Sequence, residues 1–362
     1  MPDSEEVQGF LQKRDRNLAE WLITLILFPA SLLYRFGMFL RGILYRIGLL
    51  RTTRLPVKVI SVGGISLGGS GKTPVVMHIV DLLESTEKKA VVLTRGYGGE
   101  TTESLALLPG DDLTGIPLSD EVRLMSERIN SPIGVGADRV RSFELLEKRG
   151  SYDVAVLDDG FQHLRIARDL DIVVLDATAP YGSGFMLPAG NLREPKRALR
   201  RADLIVLTRL SQSANPDRMV NEVERRVGGN RLITADYRFE TATNIHTGQS
   251  VSLVKLESTK TFAFSAIANP ASFFSMLRDN GINPKGSMAF RDHHIYTESD
   301  VEQLLKEARS LQCEAFAVTE KDAVKLREFD FESLNVYSIR IHLQIQKGKD
   351  NLHSSIMGLL DD

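Results

Sequence analysis

The chain has 362 residues, an ordinary apolar content of 43% and an even charge balance, 45 basic against 47 acidic side chains. That length admits two domains or one large one, and the even balance gives no electrostatic case for a nucleic-acid partner. The single Cys313 excludes an internal disulfide, fits a reducing compartment and, with scattered histidines, argues against a zinc site.

Residues 1–20 are of mixed charge and read as a soluble lead-in helix. Trp21 to Tyr34 carries no charge. As a helix it would be roughly 21 Å long, short of the ~30 Å hydrocarbon core, and Pro29 is expected to kink it. Phe36 to Leu50 stays apolar, while Arg35, Arg41, Arg46, Arg51 and Arg54 recur every few residues. Apolar bulk with a basic ladder predicts a membrane-associated helical segment over 1–55, embedded in one leaflet with its arginines at lipid phosphates. A buried helical hairpin is the competing reading. The long charged lead without a small-residue cleavage site does not fit a signal peptide.

Val57 to Val62 is a short β-branched run, and Val75 to Leu83 has helical apolar spacing. Between them lies Gly68-Gly-Ser-Gly-Lys-Thr73. Strand, glycine loop, Lys-Thr and helix form the context a phosphate-binding loop requires. Gly68, Gly69, Ser70 and Gly71 let backbone N–H groups turn inward onto phosphate oxygens, and the helix start adds partial positive charge. Lys72 can reach the β- and γ-phosphates of ATP, and the Thr73 hydroxyl can hold Mg²⁺. The strict pattern would place glycine where Ser66 stands.

Ala90 to Thr94 reads as a second strand, followed by Arg95-Gly-Tyr-Gly-Gly99, where Arg95 could bind a phosphate and Tyr97 could stack on a substrate ring. In Leu118 to Met125, Ser119 or Asp120 could cap a helix with Asp120 and Glu121 in its first turn. The other reading of that pair is a carboxylate site beside the transferred phosphate, with Glu121 a candidate metal ligand. Tyr152 to His163 is an apolar strand ending in Asp158-Asp159-Gly, as a Walker-B strand must to bring a carboxylate to Mg²⁺. Asp158 is favoured over Asp159, and Gln162 and His163 either enter the cleft or cap the turn. Leu170 to Asp176 and Asp203 to Thr208 are further buried strands. The long loop between them contains Arg193, a candidate to neutralise the γ-phosphate, and Glu194, a candidate to assist Mg²⁺. Strand–helix alternation predicts an α/β, P-loop NTPase-like, doubly wound, mostly parallel sheet over 56–235.

From about Leu232 the pattern changes, and 236–362 reads as a smaller C-terminal α/β domain. Thr241 to Lys260 suits an antiparallel connector. Thr261 to Ala266, Glu314 to Thr319 and Val336 to Ile341 read as strands, and Ala271 to Asn280 and Glu298 to Leu311 as helices. His293 and His294 could be acid/base or orienting groups. Thr319-Glu-Lys-Asp322 has its lysine in the wrong place for guanine recognition.

Gly68-Gly-Ser-Gly-Lys-Thr-Pro74, Arg95-Gly-Tyr-Gly98, Asp120-Glu121, Asp158-Asp-Gly-Phe-Gln-His163, Leu192-Arg-Glu-Pro195, Asp292-His-His294 and Thr319-Glu-Lys-Asp322 occur in one order along one chain. This set resembles the tetraacyldisaccharide 4′-kinase family, the lipid A 4′-kinases of Gram-negative bacteria. The resemblance implies a membrane-associated P-loop kinase at the cytoplasmic face of the inner membrane. Such a kinase moves the γ-phosphate of ATP, with Mg²⁺, to the 4′-hydroxyl of a lipid-anchored glucosamine disaccharide 1-phosphate. It further implies Asp120 as the base, His293 as its proton-sharing partner, Lys72 and Arg193 on the phosphates, and Thr73 with Asp158 or Asp159 on Mg²⁺. Arg95 and Tyr97 would meet the disaccharide head group. Ser70, where threonine is common, and Ser119, where glycine usually precedes Asp-Glu, depart from the family pattern. A kinase of a soluble acceptor and a membrane-anchored nucleotide switch are the alternatives.

Overall fold

A computed structural model describes residues 10–11, 13, 16–96 and 103–361. Its strands in chain order are β1 (Lys58–Gly63), β2 (Ala90–Thr94), β3 (Leu105–Leu107), β4 (Ile133–Val135), β5 (Val154–Asp158), β6 (Leu170–Asp176) and β7 (Leu204–Thr208). They continue with β8 (Leu232–Asn244), β9 (Ser250–Val251), β10 (Thr261–Ser265), β11 (Gly286–Ala289), β12 (Ala315–Thr319) and β13 (Asn335–Lys347). Among the described residues all of them join one sheet, in the order β11-β10-β12-β13-β8-β7-β6-β1-β5-β2-β4-β3, with β9 beside β8.

From β8 to β4 the neighbours are parallel, and so are those from β11 to β13. The two parallel blocks meet through one antiparallel pair, β8 with β13. The registers are staggered. Leu207 near the end of β7 sits opposite Thr234, whereas Thr319 at the end of β12 sits opposite Ile339, which faces Ala242. Between Thr234 and Ala242 the two long strands form a bridge of roughly 26 Å, at about 3.3 Å per residue. The carboxyl-terminal edges of both blocks therefore point toward each other across it, and carboxyl edges are where α/β sheets carry their ligand loops.

The helices are α1 (Leu18–Arg46), α2 (Lys72–Ser85), α3 (Asp120–Arg128), α4 (Arg139–Glu147), α5 (Pro216–Val227), α6 (Leu253–Ser258), α7 (Pro270–Asp279), α8 (Glu298–Ser310), α9 (Glu320–Leu326) and α10 (Lys349–Asp361). In α2 the run Val75, Val76, Met77, Ile79, Val80 and Leu83 is buried against the sheet, which explains its nearly continuous apolar sequence. Around the second block, Phe262, Phe264, Phe316 and Phe331 pack mostly edge to face, the arrangement that aromatic quadrupoles favour.

The helix α1 departs from expectation. It is one helix, capped by Asn17 and Glu20 in a reciprocal box, and Pro29 sits inside it without ending it. Neither a hairpin nor a short 21–34 element forms. The helix is attached lengthwise to the body. Ser31 Oγ donates to the Met186 carbonyl at 3.0 Å, Tyr34 Oη to the Arg193 carbonyl at 3.3 Å and Arg41 to the Gln162 carbonyl at 3.0 Å. Trp21 and Phe28 both meet the Phe185 ring edge-on. The opposite face leaves Leu18, Leu25, Ile26 and Leu33 at 69–78% exposure, an apolar surface that water alone does not favour.

Candidate active site

β1 delivers the glycine loop, and Gly71 closes it as the N-cap of α2 in a left-handed conformation, φ +79°. A Cβ there would lie well inside contact distance of Tyr237 Oη, so glycine is required twice over. Tyr237, on β8, donates to the Gly71 carbonyl at 3.2 Å, and Arg209 donates to the Gly69 carbonyl at 3.0 Å. Asp176 pairs with Arg209. The phosphate loop is thus braced from the ends of β6 and β7 and from the middle of β8. On its other side the long 182–195 loop is stitched to it. Leu67 N–H donates to the Asn191 carbonyl at 2.7 Å, and Arg193 N–H to the Ile65 carbonyl at 2.8 Å.

The Walker-B strand β5 ends where expected. Asp159 has a left-handed backbone, φ +50°, which turns its carboxylate into the cleft. Arg193 grips it with two bonds of 2.7 Å, and Lys72 Nζ lies 3.6 Å away. Burial would raise the Asp159 carboxyl, but Arg193, Lys72 and Arg139 hold it well below the usual carboxylate range. Asp158 is buried, accepts from Thr94 Oγ1 at 3.1 Å and is pushed up, first by burial and then by its neighbour Asp159. A buried carboxylate beside a second one suits a dication, which relieves both penalties. No group of three or more His, Cys, Asp or Glu side chains able to hold a metal forms among the described residues. That is consistent with Mg²⁺, which takes one or two carboxylates and completes its shell with phosphate and water.

Glu194 does not join this cluster. Its oxygens accept from Arg201 and, at 2.8 Å, from Gln162, whose amide also donates to the Gly64 carbonyl at 2.8 Å. The expected metal-assisting carboxylate is therefore committed to other donors, and it fastens the 182–195 loop to the Walker-B turn. Gln162 thus ties that turn to the residue after β1 and to Glu194. His163 is half-buried beside Arg139, Arg41, Arg165 and Arg168, and burial followed by these cations pushes it down to about 4.

The second cluster forms where α3 meets α9. His293, in a left-handed turn at φ +62°, brings Nδ1 to 3.3 Å from Asp120 Oδ2. Its Nε2 stands 3.3 Å from Lys321 Nζ and 3.6 Å from Glu121 Oε1. Lys321 pairs with Glu121 at 2.7 Å, and Lys325 with Asp120 at 3.2 Å. Burial would raise Asp120, but His293, Lys325 and Lys321 overcome it and hold its carboxyl below the ordinary value. Asp120 in turn raises His293, against burial and Lys321. His294 takes no part: it stacks on Phe290 and meets Asp300 at 3.0 Å. Ser119 is the N-cap of α3. Arg95 follows β2 directly, one residue beyond Thr94, and Tyr97 lies outside the described residues.

No local sequence pattern assigns a role to Lys321 or Lys325. The i, i+4 spacing of two lysines in Glu320–Leu326 was the available signal, since such residues share a helix face. Arg139 was also missed. It is buried, and its guanidinium donates to the Asp158 carbonyl at 2.6 Å, a contact no local pattern announces.

A sequence model of tetraacyldisaccharide-1-P 4′-kinase matches residues 23–360. The chain belongs to the tetraacyldisaccharide 4′-kinase family. As an enzyme of this family it phosphorylates the 4′ position of a tetraacyldisaccharide 1-phosphate. The kinase is 37% identical over 316 residues to the tetraacyldisaccharide 4′-kinase of Pelobacter propionicus, covering 86% of this chain and 85% of that one. It is 38% identical over 311 residues to that of Syntrophotalea carbinolica, covering 85% and 84%. Among solved structures it resembles LpxK from Aquifex aeolicus, crystallised with ATP, at 30% identity and a TM-score of 0.74, covering 93% of this chain and 99% of that one. The kinase shares that α/β architecture, including the C-terminal α/β region and the N-terminal apolar helix. Neither the soluble-acceptor kinase nor the nucleotide switch finds support.

Proposed function

We propose that the kinase works across the cleft between residues 56–235, which hold ATP, and residues 236–362, which bring His293 to it. The Gly68–Thr73 loop cradles the phosphates, with Lys72 and Arg193 offsetting their charge. Thr73 and Asp158, with Asp159 beside it, would hold Mg²⁺, while Glu121 pairs with Lys321 at 2.7 Å. Held there, the ion would offset negative charge on the phosphates during transfer.

Asp120 and His293 act together as the proton acceptor. The Lys321 ammonium can only donate, so its approach to His293 Nε2 assigns the ring proton to Nδ1, which faces the Asp120 carboxylate. Nε2 is then the lone pair that accepts the 4′-hydroxyl proton, as Lys321 falls back on Glu121 and Asp292. The alkoxide oxygen bonds to the γ-phosphorus, the bond to the bridging oxygen breaks, and ADP leaves with that electron pair. Sharing the proton matters because an isolated aspartate near pKa 4 is a weak base for a sugar hydroxyl. Arg95 and Tyr97 meet the disaccharide head group.

The observation that carries this reading is the Asp120–His293 contact made between the two facing strand edges. Its acceptor is lipid-borne, and α1 supports a place at the cytoplasmic face of the bacterial inner membrane, where ATP is available. Attached to the body along one stripe from Thr24 to Arg41, α1 lies along the lipid surface with its exposed apolar face in one leaflet. The test is phosphate transfer from labelled ATP to a tetraacyl glucosamine disaccharide 1-phosphate in detergent micelles. Labelled lipid should require Mg²⁺ and fall about 10²-fold or more in Lys72→Ala. ATP consumption without labelled lipid would overturn the reading.

A further inference from the structure

Lys325 makes contacts that the reaction scheme above leaves unused. Its ammonium lies 3.2 Å from Asp120 Oδ2, the same oxygen that His293 Nδ1 meets at 3.3 Å. It also donates to the His294 carbonyl at 3.0 Å, the next residue along from His293. One cation therefore touches the carboxylate directly and holds the backbone one residue beyond the imidazole. Its side chain is only 15% exposed and lies over the Tyr296 ring at 5.4 Å, so it is a fixed charge and not a loose surface lysine. Behind it, Asp322 is fully buried and accepts from the Ala266 N–H at 3.0 Å, the Tyr296 hydroxyl at 3.0 Å and Thr319 Oγ1 at 2.6 Å. Ala266 returns the link, since its carbonyl accepts from the His293 N–H at 3.3 Å.

We propose that Lys325 is a positioning residue for phosphoryl transfer: it pins the Asp120 carboxylate against His293 Nδ1 and holds the His293 turn from behind. The proposal rests on the reading of Asp120 and His293 as the proton-accepting pair. A carboxylate torsion is intrinsically broad and two-fold, so a single imidazole contact leaves it free to swing. The Lys325 ammonium at 3.2 Å and the imidazole Nδ1 at 3.3 Å, approaching the same oxygen, restrict that freedom. His293 itself sits in a left-handed backbone that a non-glycine residue adopts only when its surroundings impose it. Lys325 belongs to α9, so the base is complete only while α9 rests on α3. Arg128 with Glu320 at 2.7 Å, and Arg327 with Glu127 at 2.7 Å, hold those helices together.

The experiment compares Lys325→Gln, Lys325→Arg, Asp120→Asn and the Asp120→Asn/Lys325→Gln double variant in the micellar transfer assay. Lys325→Gln should lower kcat about 10²-fold, the usual cost of a reacting group displaced by an ångström, with KM for ATP little changed. The acidic limb of its pH–rate profile should move to higher pH. The groups around the pair are Glu121, Lys321, Asp292, His294, Tyr296, Asp300 and Asp322. Removing one ammonium from that set makes the base easier to protonate. Lys325→Arg, which keeps the charge, should return both kcat and the profile. The double variant should be no slower than Asp120→Asn alone. A purely structural lysine would lower the melting temperature without moving the profile. Wild-type kcat in Lys325→Gln, or losses that multiply in the double variant, would overturn the proposal. Full activity in Asp120→Asn would instead overturn the reading of the pair, whatever Lys325 does. Lys325→Met, which keeps the apolar stem over Tyr296, is judged by the same readouts if Lys325→Gln does not fold.

Discussion

Replacing Gly71 by alanine tests the geometry of the phosphate loop. Gly71 has φ +79°, and its added methyl would press into Tyr237 Oη and lie 2.9 Å from Cζ. The left-handed backbone costs an L-residue roughly 1–2 kcal/mol. Forcing a methyl against a packed ring costs about 1–3 kcal/mol more. The loop will relax out of its binding shape, and the energy needed to restore it appears as lost ATP affinity. A sum of about 2–5 kcal/mol, at ~1.4 kcal/mol per tenfold, is a weakening of about 30- to 4,000-fold in titration calorimetry with Mg·ATP. The two parts separate. Adding Tyr237→Phe to Gly71→Ala deletes the oxygen nearest the methyl and should recover most of the packing part. The backbone part, about 5- to 30-fold, should remain. Tyr237→Phe alone should cost only its 3.2 Å bond to the Gly71 carbonyl, about 1 kcal/mol. Wild-type ATP affinity in Gly71→Ala, or no recovery in the double variant, would refute this account.

Two further outcomes follow from the site and from α1. By NMR titration His293 should protonate above the ordinary histidine value near 6.5, because Asp120 stabilises its cation, and Asp120→Asn should move that titration down. Since the imidazole must be neutral to accept a proton, wild-type turnover should fall as pH drops through the raised value; a titration unmoved in Asp120→Asn would break the link. Leu25→Asp, Ile26→Asp and Leu33→Asp together, on the exposed face of α1, should abolish co-sedimentation with anionic phospholipid vesicles and leave the melting temperature within a few degrees. Undiminished sedimentation would remove α1 as the lipid-facing surface.

Local chemistry made part of this legible in the sequence. The glycine loop, the aspartates ending β5 and the strand–helix rhythm around them each satisfy a requirement within about ten residues. Hence β1, β2, β5, β6, β7 and α2 fall where apolar runs and punctuation predict. The three-residue strands β3 and β4 carry too few residues for a period, and their pairing is decided by neighbours. β8 was hidden differently. Its second half is polar and half-exposed because only β13 and the short β9 flank it there, so it lacks the apolar signature of a central strand. At the site, Asp120 and His293 were recognisable as chemistry and in the family pattern, but their contact depends on the 172 residues of fold between them. Glu194 shows the limit most plainly. A carboxylate next to a candidate phosphate-binding arginine reads as a metal ligand, and the positions of Arg201 and Gln162 engage it instead.

The attachment of α1 bears on how the kinase meets its substrate. Tyr34 and Arg41 donate to the carbonyls of Arg193 and Gln162, the residues whose side chains reach Asp159 and Glu194. The helix α1 and the 182–195 loop are therefore one mechanical piece, with no slack linker between them. On a membrane, the height of the cleft above the lipid is then fixed by hydrogen bonds. In the proposed leaflet-bound arrangement the enzyme would search for its acceptor by sliding in two dimensions at constant depth. Its effective substrate concentration is a number of molecules per unit area, so diluting the acceptor with inert lipid should slow turnover as surely as removing it from solution.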